Sequence, residues 1–254
     1  MNTVTTGFEG RTVLVTGGTS GIGLATAQRF AAAGAFVVVT GRRREAVDRA
    51  VETLGGSGLG VQADAASPAD LDRVFAAVRA RGRGLDVVVA NAGGGSFASL
   101  AETTQEHVDE TFGTNVDGVL FTVQKALPLL SAGASVIVTG STAAPGGMPA
   151  FGAYAATKAA LHSFVRTWAV ELAPRGIRVN AVVPGPTATP GLSELAPDAA
   201  AAQALREQLA ATVPLGRLIE PAEIAGTILF LASEAAGMIT GSELLVDGGQ
   251  TAAA

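Results

Sequence analysis

Short apolar runs rich in β-branched residues recur along the chain, separated by longer stretches whose apolar positions return every three to four residues. The runs lie at Thr12–Thr16, Phe36–Thr40, Leu59–Ala63, Val87–Ala90, Ser135–Thr139, Arg178–Val183 and Leu244–Val246. Several, such as Val37-Val38-Val39, lack the polar alternation of a half-exposed strand. That pattern predicts strands covered on both faces. The helical stretches are Gly21–Ala33, Pro68–Arg81, Thr103–Leu127, Gly152–Ala173 and Pro221–Ser233. Gly34 suits the C-cap of the first. Ser67 as N-cap, Pro68 at the first helical position and Asp70 in the first turn open the second. Strands alternating with such helices predict right-handed βαβ units. The expected fold class is therefore α/β, a doubly wound parallel sheet of about seven strands with helices on both faces. No linker, repeat or low-complexity block divides the chain, so residues 1–254 are read as one domain.

Residues 185–213 break the alternation. They carry Pro186, Pro190 and Pro197 and then an alanine-rich stretch. A long proline-bearing insertion beyond a strand predicts a substrate-binding loop or lid.

Composition narrows the chemistry. With no cysteine there is no disulfide framework, thiolate nucleophile or cysteine-ligated metal. The two histidines, His107 and His162, are too far apart for an HExxH signature, so no metal is expected. A net charge of −5 argues against nucleic acid as partner. Met1–Gly10 lacks the basic start and apolar core of a signal peptide, and a cytoplasmic location is expected. No charged residue occurs between Lys125 and Lys158, yet Pro128, Pro145, Pro149 and several glycines interrupt that window. It reads as an uncharged, partly buried site, not a membrane span. The single tyrosine, Tyr154, lies within it.

Thr16-Gly17-Gly18-Thr19-Ser20-Gly21-Ile22-Gly23 joins the first strand to the first helix. Helix N-termini present unpaired N–H groups and partial positive charge, and glycine lets backbone approach a pyrophosphate closely. No GxxxxGK[ST] motif is present, which argues against a P-loop NTPase. The spacing is Thr-Gly-x-x-x-Gly-x-Gly. Further motifs follow in order: Asn91-Ala92-Gly93 after the fourth strand, Asn115 within Thr114-Asn115-Val116, Ser141 after the fifth strand, Tyr154-Ala155-Ala156-Thr157-Lys158, and Pro184-Gly185 after the sixth. In this ordered set the chain resembles the classical short-chain dehydrogenase/reductases over nearly its whole length.

Tyrosine and lysine four apart share one helix face. A phenol with an ordinary pKa near 10 is a poor acid–base at neutral pH, and a nearby ammonium favours the phenolate. The resemblance implies a single-domain Rossmann fold and hydride exchange between a nicotinamide and a ketone, aldehyde or alcohol. It implies that Tyr154 is the general acid/base and that Ser141 hydrogen-bonds the same substrate oxygen. Lys158 would hold the nicotinamide ribose and lower the Tyr154 pKa, and Asn115 would stabilise a water linking Lys158 to solvent. Cofactor contacts are implied at Gly17, Thr19, Ser20, Gly21, Ile22, Gly23, Asp64, Ala65, Asn91, Ala92, Gly93, Tyr154, Lys158, Pro184, Gly185, Thr187 and Thr189.

The second strand ends in Gly41-Arg42-Arg43-Arg44, without the acidic residue that would bind the adenosine ribose hydroxyls of NAD. Arginine offers a planar donor fork to a 2′-phosphate. Arg42 and Arg43 therefore predict NADP(H), with NAD(H) as the alternative. Pocket walls are expected from 94–97, 143–151 and 185–212, where Phe97, Met148, Phe151 and Leu192 predict a substrate with an apolar portion. The alternatives to a carbonyl reductase or alcohol dehydrogenase are a non-catalytic NADP(H) sensor and, as a narrower substrate class, a 3-ketoacyl-thioester reductase. An enoyl reductase is disfavoured because that branch spaces its tyrosine and lysine more widely. His107 is expected on an exposed helical face, His162 near a partner helix, and Trp168 in packing. A helix apolar on several faces around Leu161–Leu172 predicts cover by a second subunit, and the resemblance implies a homotetramer.

Overall fold

A computed structural model describes residues 7–253, so Met1–Thr6 of the amino-terminal stretch and Ala254 lie outside it. Its seven strands are β1 (Thr12–Val15), β2 (Phe36–Gly41), β3 (Gly58–Gln62), β4 (Leu85–Ala90), β5 (Leu130–Thr139), β6 (Arg178–Pro184) and β7 (Glu243–Val246). They form one sheet in the order β3-β2-β1-β4-β5-β6-β7. Every neighbouring pair is parallel; Val13, for example, aligns with Val37 on one side and Val87 on the other.

Successive strand residues point to opposite faces, and this divides the core in two. Val13, Val15, Val37, Val39, Val87, Val89 and Ile137 face one layer with Phe30 and Ile228. These come from α1 (Gly21–Ala32) and α9 (Pro221–Ala232). Leu14, Val38, Val88, Val136 and Val138 face the other layer with Phe75, Val123 and Leu161. These belong to α3 (Pro68–Ala80), α5 (Gly118–Ala126) and α6 (Gly152–Leu172). Phe30, Phe75 and Leu161 are fully buried, which is worth roughly 2 to 3 kcal/mol each.

Three expectations are corrected or refined. Arg44–Glu52 forms a helix, α2, outside the five helical segments read from sequence. Its buried Ala46, Val47 and Ala50 make a helical stripe behind the arginine run. The segment 103–127 is helical as read, but its middle is not α: α4 (Gln105–Phe112) runs through a five-residue π-helical turn, Gly113–Asp117, into α5. The loop expected at 185–213 contains two helices, α7 (Pro190–Ser193) and α8 (Ala199–Ala211).

Candidate active site

The strand order reverses between β1 and β4, and ligands of open α/β sheets bind outside the carboxyl ends of the strands at such a point. There the Thr16–Gly23 turn is built on close backbone contact. A Cβ on Gly23 would lie 2.1 Å from the Gly17 carbonyl oxygen, and one on Gly17 would meet Ala92 Cα at 3.0 Å. Gly17 and Gly21 hold φ of 63° and 51°, in the left-handed region. Thr16 Oγ1 accepts from the N–H groups of Asn91 and Ala92 at 3.0 and 3.1 Å. Asn91 Nδ2 donates to the carbonyls of Thr16 and Gly17, and its Oδ1 accepts from Thr139 Oγ1 at 3.2 Å. The Asn91 side chain thus clamps β1, β4 and β5 together. Ser20 caps α1 without a side-chain hydrogen bond, and the first turn holds no acidic residue. The first N–H groups of α1 are left for an anion, which fits a dinucleotide pyrophosphate.

The predicted catalytic residues converge beside this turn. The long helix α6 carries Tyr154 and Lys158 on one side, toward the end of β5. Lys158 is 4% exposed and its Nζ donates to the Thr139 carbonyl at 2.9 Å. Burial lowers its pKa to about 8. Its Nζ lies 5.5 Å from the centre of the Tyr154 ring. Burial pushes the Tyr154 hydroxyl up, while a hydrogen bond with the Ser141 side chain pulls it down. In the chain by itself, then, the net direction opposes the expected depression of the phenol. The reason is that desolvation outweighs its polar neighbour, and the Lys158 ammonium is drawn to the Thr139 carbonyl.

Asn115 is fully buried in the π-turn. Its Oδ1 accepts from Gly94 N at 3.0 Å, and its Nδ2 donates to Gly94 O at 2.8 Å and Thr157 Oγ1 at 3.0 Å. Thr157 Oγ1 donates to the Tyr154 carbonyl at 2.6 Å. Both amide hydrogens of Asn115 are therefore engaged in joining the Gly94 peptide to α6. A Cβ on Gly93 would reach Asn115 Oδ1 at 3.0 Å and Lys158 Nζ at 3.4 Å, so these side chains share one wall. Thr139 and Thr157 are parts of this site that sequence reasoning missed. The Thr139 contact to Lys158 is main-chain, so its residue type gives no signal.

At the end of β2, Arg42 and Arg43 are exposed, and among the described residues neither guanidinium has an ion-pair partner. Arg44 instead pairs with Asp48 at 2.9 Å. A Cβ on Gly41 would meet Thr19 Cγ2 at 2.5 Å, so the arginine turn borders the phosphate turn. Asp64 folds its Oδ1 back onto Ala66 N at 2.9 Å, with Ala65 between them. Beyond β6, Gly185 packs on Asp247, and Thr187 Oγ1 donates to the Gly185 carbonyl at 2.9 Å. Thr189 caps α7 through Leu192 N, and its methyl lies against Gly21.

On the substrate side, Phe151 stacks on Tyr154 with ring centres 4.4 Å apart, and Phe97 leans on Phe151 at 5.0 Å. Ala98 N donates to the Ala150 carbonyl at 2.8 Å, joining the two loops above the tyrosine. Ala150 holds φ 59°, a conformation uncommon for alanine. His107 is partly exposed among the exposed Glu106 and Asp109, with its Nδ1 3.3 Å from Ser96 Oγ. His162 is buried within the subunit, with Nδ1 3.0 Å from Glu243 of β7. Trp168 packs as expected, stacked on Phe164.

Similarity to known proteins follows the same outline. The family model described as Enoyl-(Acyl carrier protein) reductase matches residues 17–251. Oxidoreductase asL5 of Sarocladium schorii is 43% identical over 244 residues, covering 95% of this chain and 96% of that one. L-rhamnose 1-dehydrogenase (NAD(P)(+)) of Azotobacter vinelandii is 42% identical over 253 residues, covering 94% and 96%. The solved structure of a short-chain dehydrogenase/reductase from Brucella melitensis, glucose/ribitol dehydrogenase, superposes with a TM-score of 0.89 at 37% identity, covering 96% and 97%.

Proposed function

Because the chain belongs to the short-chain dehydrogenase/reductase family, whose members are oxidoreductases using NAD(P)(H), we propose that it interconverts a ketone or aldehyde and an alcohol with NADP(H) as its preferred cofactor. The observation that carries this is the convergence of Tyr154, Ser141 and Lys158 beside the uncapped start of α1. A bound nicotinamide supplies the hydride. Tyr154 gives its hydroxyl proton to the carbonyl oxygen, and alcohol oxidation returns it. Ser141 donates a hydrogen bond to the same oxygen. Lys158, held by the Thr139 carbonyl, presents its ammonium to the ribose and its charge to the phenol. Asn115 orders the Gly94 peptide and α6, leaving the second lone pair of its Oδ1 for a water. Thr187 and Thr189 would hold the nicotinamide end.

Arg42 and Arg43 favour NADP(H) over NAD(H), since two exposed, unpaired guanidiniums suit a 2′-phosphate. The Phe97–Phe151–Tyr154 stack favours a carbonyl compound with an apolar portion, covered by segment 185–213. The enoyl description belongs to the matching family model. The four-residue step from Tyr154 to Lys158 supports carbonyl chemistry instead. We further infer a cytoplasmic homotetramer, with second copies covering the open groove that Trp168 and Leu172 of α6 form with Leu120 and Leu127 near α5. No helix among the described residues is long and apolar enough to cross a membrane.

The test is a panel of ketones, 3-ketoacyl thioesters, sugars and steroids assayed with NADPH and NADH side by side. Tyr154→Phe should lower turnover by a factor on the order of 10² to 10⁴ and leave NADPH binding unchanged. A wild type that binds NADPH but turns over no panel member would favour a sensor. Equal or better rates with NADH would overturn the cofactor choice, and activity confined to sugars would overturn the apolar substrate.

A further inference from the structure

The carboxyl-terminal tail reaches both sides of the substrate cleft through one side chain. Beyond β7 the chain turns at Gly248 and Gly249, with φ of 61° and 90°. Asp247, 7% exposed, fixes that turn. Its carboxylate accepts from Gly249 N at 2.9 Å, Thr251 N at 2.9 Å and the Thr251 hydroxyl at 2.6 Å. Leu215 N donates to the Gly248 carbonyl at 3.2 Å, so the tail also grips the chain leaving α8.

This rigid turn delivers Gln250 to a position between two threonines. Thr142 Oγ1 donates to Gln250 Oε1 at 3.0 Å, and Gln250 Nε2 donates to Thr212 Oγ1 at 2.9 Å. Thr212 Oγ1 donates onward to the Leu209 carbonyl at 2.8 Å. Each hydroxyl gives one hydrogen, and the amide accepts at one atom and donates at the other. The three bonds form one directed chain without conflict. It begins at the residue after Ser141 and ends in the last turn of α8. Ala202 is the buried residue of this helix, whose start is capped by Asp198 through Ala201 N at 2.8 Å, so hydrogen bonds matter more than core packing in holding it.

We propose that Gln250 is a positioning residue for the substrate, tying the α7–α8 segment to the loop that carries Ser141 and so setting the closed wall of the pocket. The inference rests on the reading of Tyr154 and Ser141 as the reacting centre. A carbonyl compound would meet a wall whose distance from Ser141 is fixed by this bridge. Losing the bridge would therefore weaken retention of the substrate more than the chemical step, and would leave cofactor binding alone.

The full-length chain would be compared as wild type, Gln250→Leu and Gln250→Glu. Leucine matches the volume and removes both bonds. Glutamate still accepts from Thr142, and it accepts from the Thr212 hydroxyl when that hydrogen turns away from the Leu209 carbonyl. Amide hydrogen exchange over 199–211 should quicken about fivefold in Gln250→Leu, the value of one ordinary hydrogen bond, and return toward wild type in Gln250→Glu. With the panel compound of highest turnover, KM should rise about fivefold in Gln250→Leu, with kcat and the NADPH dissociation constant within about twofold. Unchanged exchange in α8 would overturn the tie. A parallel loss of NADPH binding and kcat would overturn the positioning role in favour of general destabilisation. If the wild type turns over no panel compound, the functional reading fails, while the exchange experiment still decides the bridge.

Discussion

The phosphate turn and the substrate wall lie across the same cleft but are made of different material. The turn is backbone packed on backbone: Gly23 over the Gly17 carbonyl, Gly17 over Ala92. The wall is side chain and loop: Phe97 and Met148 are each 38% exposed, and α8 hangs on capping and bridging hydrogen bonds. At Gly17 and Gly23 an added side chain collides with main chain that cannot move, whereas at Gly18 and Gly21 it would meet the Val39 and Thr189 side chains. A side-chain wall can be recut residue by residue while the turn stays as it is. One cradle can thus serve a single cofactor type while the wall opposite selects among substrates.

The sharpest way to break this contrast is to add one methyl group on each side. Gly23→Ala puts a Cβ 2.1 Å from a carbonyl oxygen. It should lower stability by more than about 3 kcal/mol and abolish NADPH binding. Gly191→Ala on the wall meets only Thr189 Oγ1, at 4.0 Å. It should stay within about 0.5 kcal/mol of wild type. Urea unfolding and NADPH fluorescence titration measure both. A Gly23→Ala chain that folds and binds normally would remove the distinction.

Lys158 stands at the boundary between the two regions, and burial lowers its pKa from 10.5 to about 8. Between those values the unfolded chain binds more protons than the folded one, so this group makes stability rise with pH across that window. Below about pH 8 the whole penalty is present, about 3 kcal/mol. Lys158→Met should therefore unfold at higher urea than wild type at pH 7, lose that advantage by about pH 10, and have no turnover. A variant less stable than wild type at pH 7 would mean that the Thr139 carbonyl fully compensates the buried ammonium.

The same division explains what the sequence disclosed. Strand faces follow from period two, and Val13, Val15 and Leu14 sort to opposite cores as the alternation requires. The glycine turn and the Tyr154–Lys158 step are local, so spacing alone places them. What escaped is non-local or main-chain. Asn115 meets Gly94 and Thr157 across gaps in sequence that no pattern records. Thr139 acts on Lys158 through a carbonyl that every residue has. The π-turn at 113–117 escaped because the apolar spacing continues through it. His162 gave no sign of Glu243, which lies on the edge strand far along the chain.

Two smaller effects sharpen the comparison. On the cofactor side the exception to backbone recognition is the arginine turn, so Arg42→Ala should act on affinity without touching the fold. The NADPH dissociation constant should rise about tenfold, with NADH within about twofold and the unfolding midpoint unchanged. Equal weakening of both cofactors would assign Arg42 to the shared part of the dinucleotide and leave the 2′-phosphate to another group.

The smallest change is expected on the wall itself. Met148 is 38% exposed, and its carbonyl accepts from Phe151 N at 3.2 Å, so truncating its side chain opens no core cavity. Met148→Ala should leave stability within about 0.5 kcal/mol. It should still raise KM for a long-chain ketone such as 2-octanone by about threefold, because the alkyl chain then buries less apolar surface. The same variant should leave KM for a sugar aldehyde unchanged, because hydroxyl groups gain little from a thioether. Equal effects on both compounds would mean that the wall tunes access to Tyr154, not substrate polarity. The apolar surface around the tyrosine would then serve to raise its pKa and keep water out, with selection left to the bridge at the far end of α8.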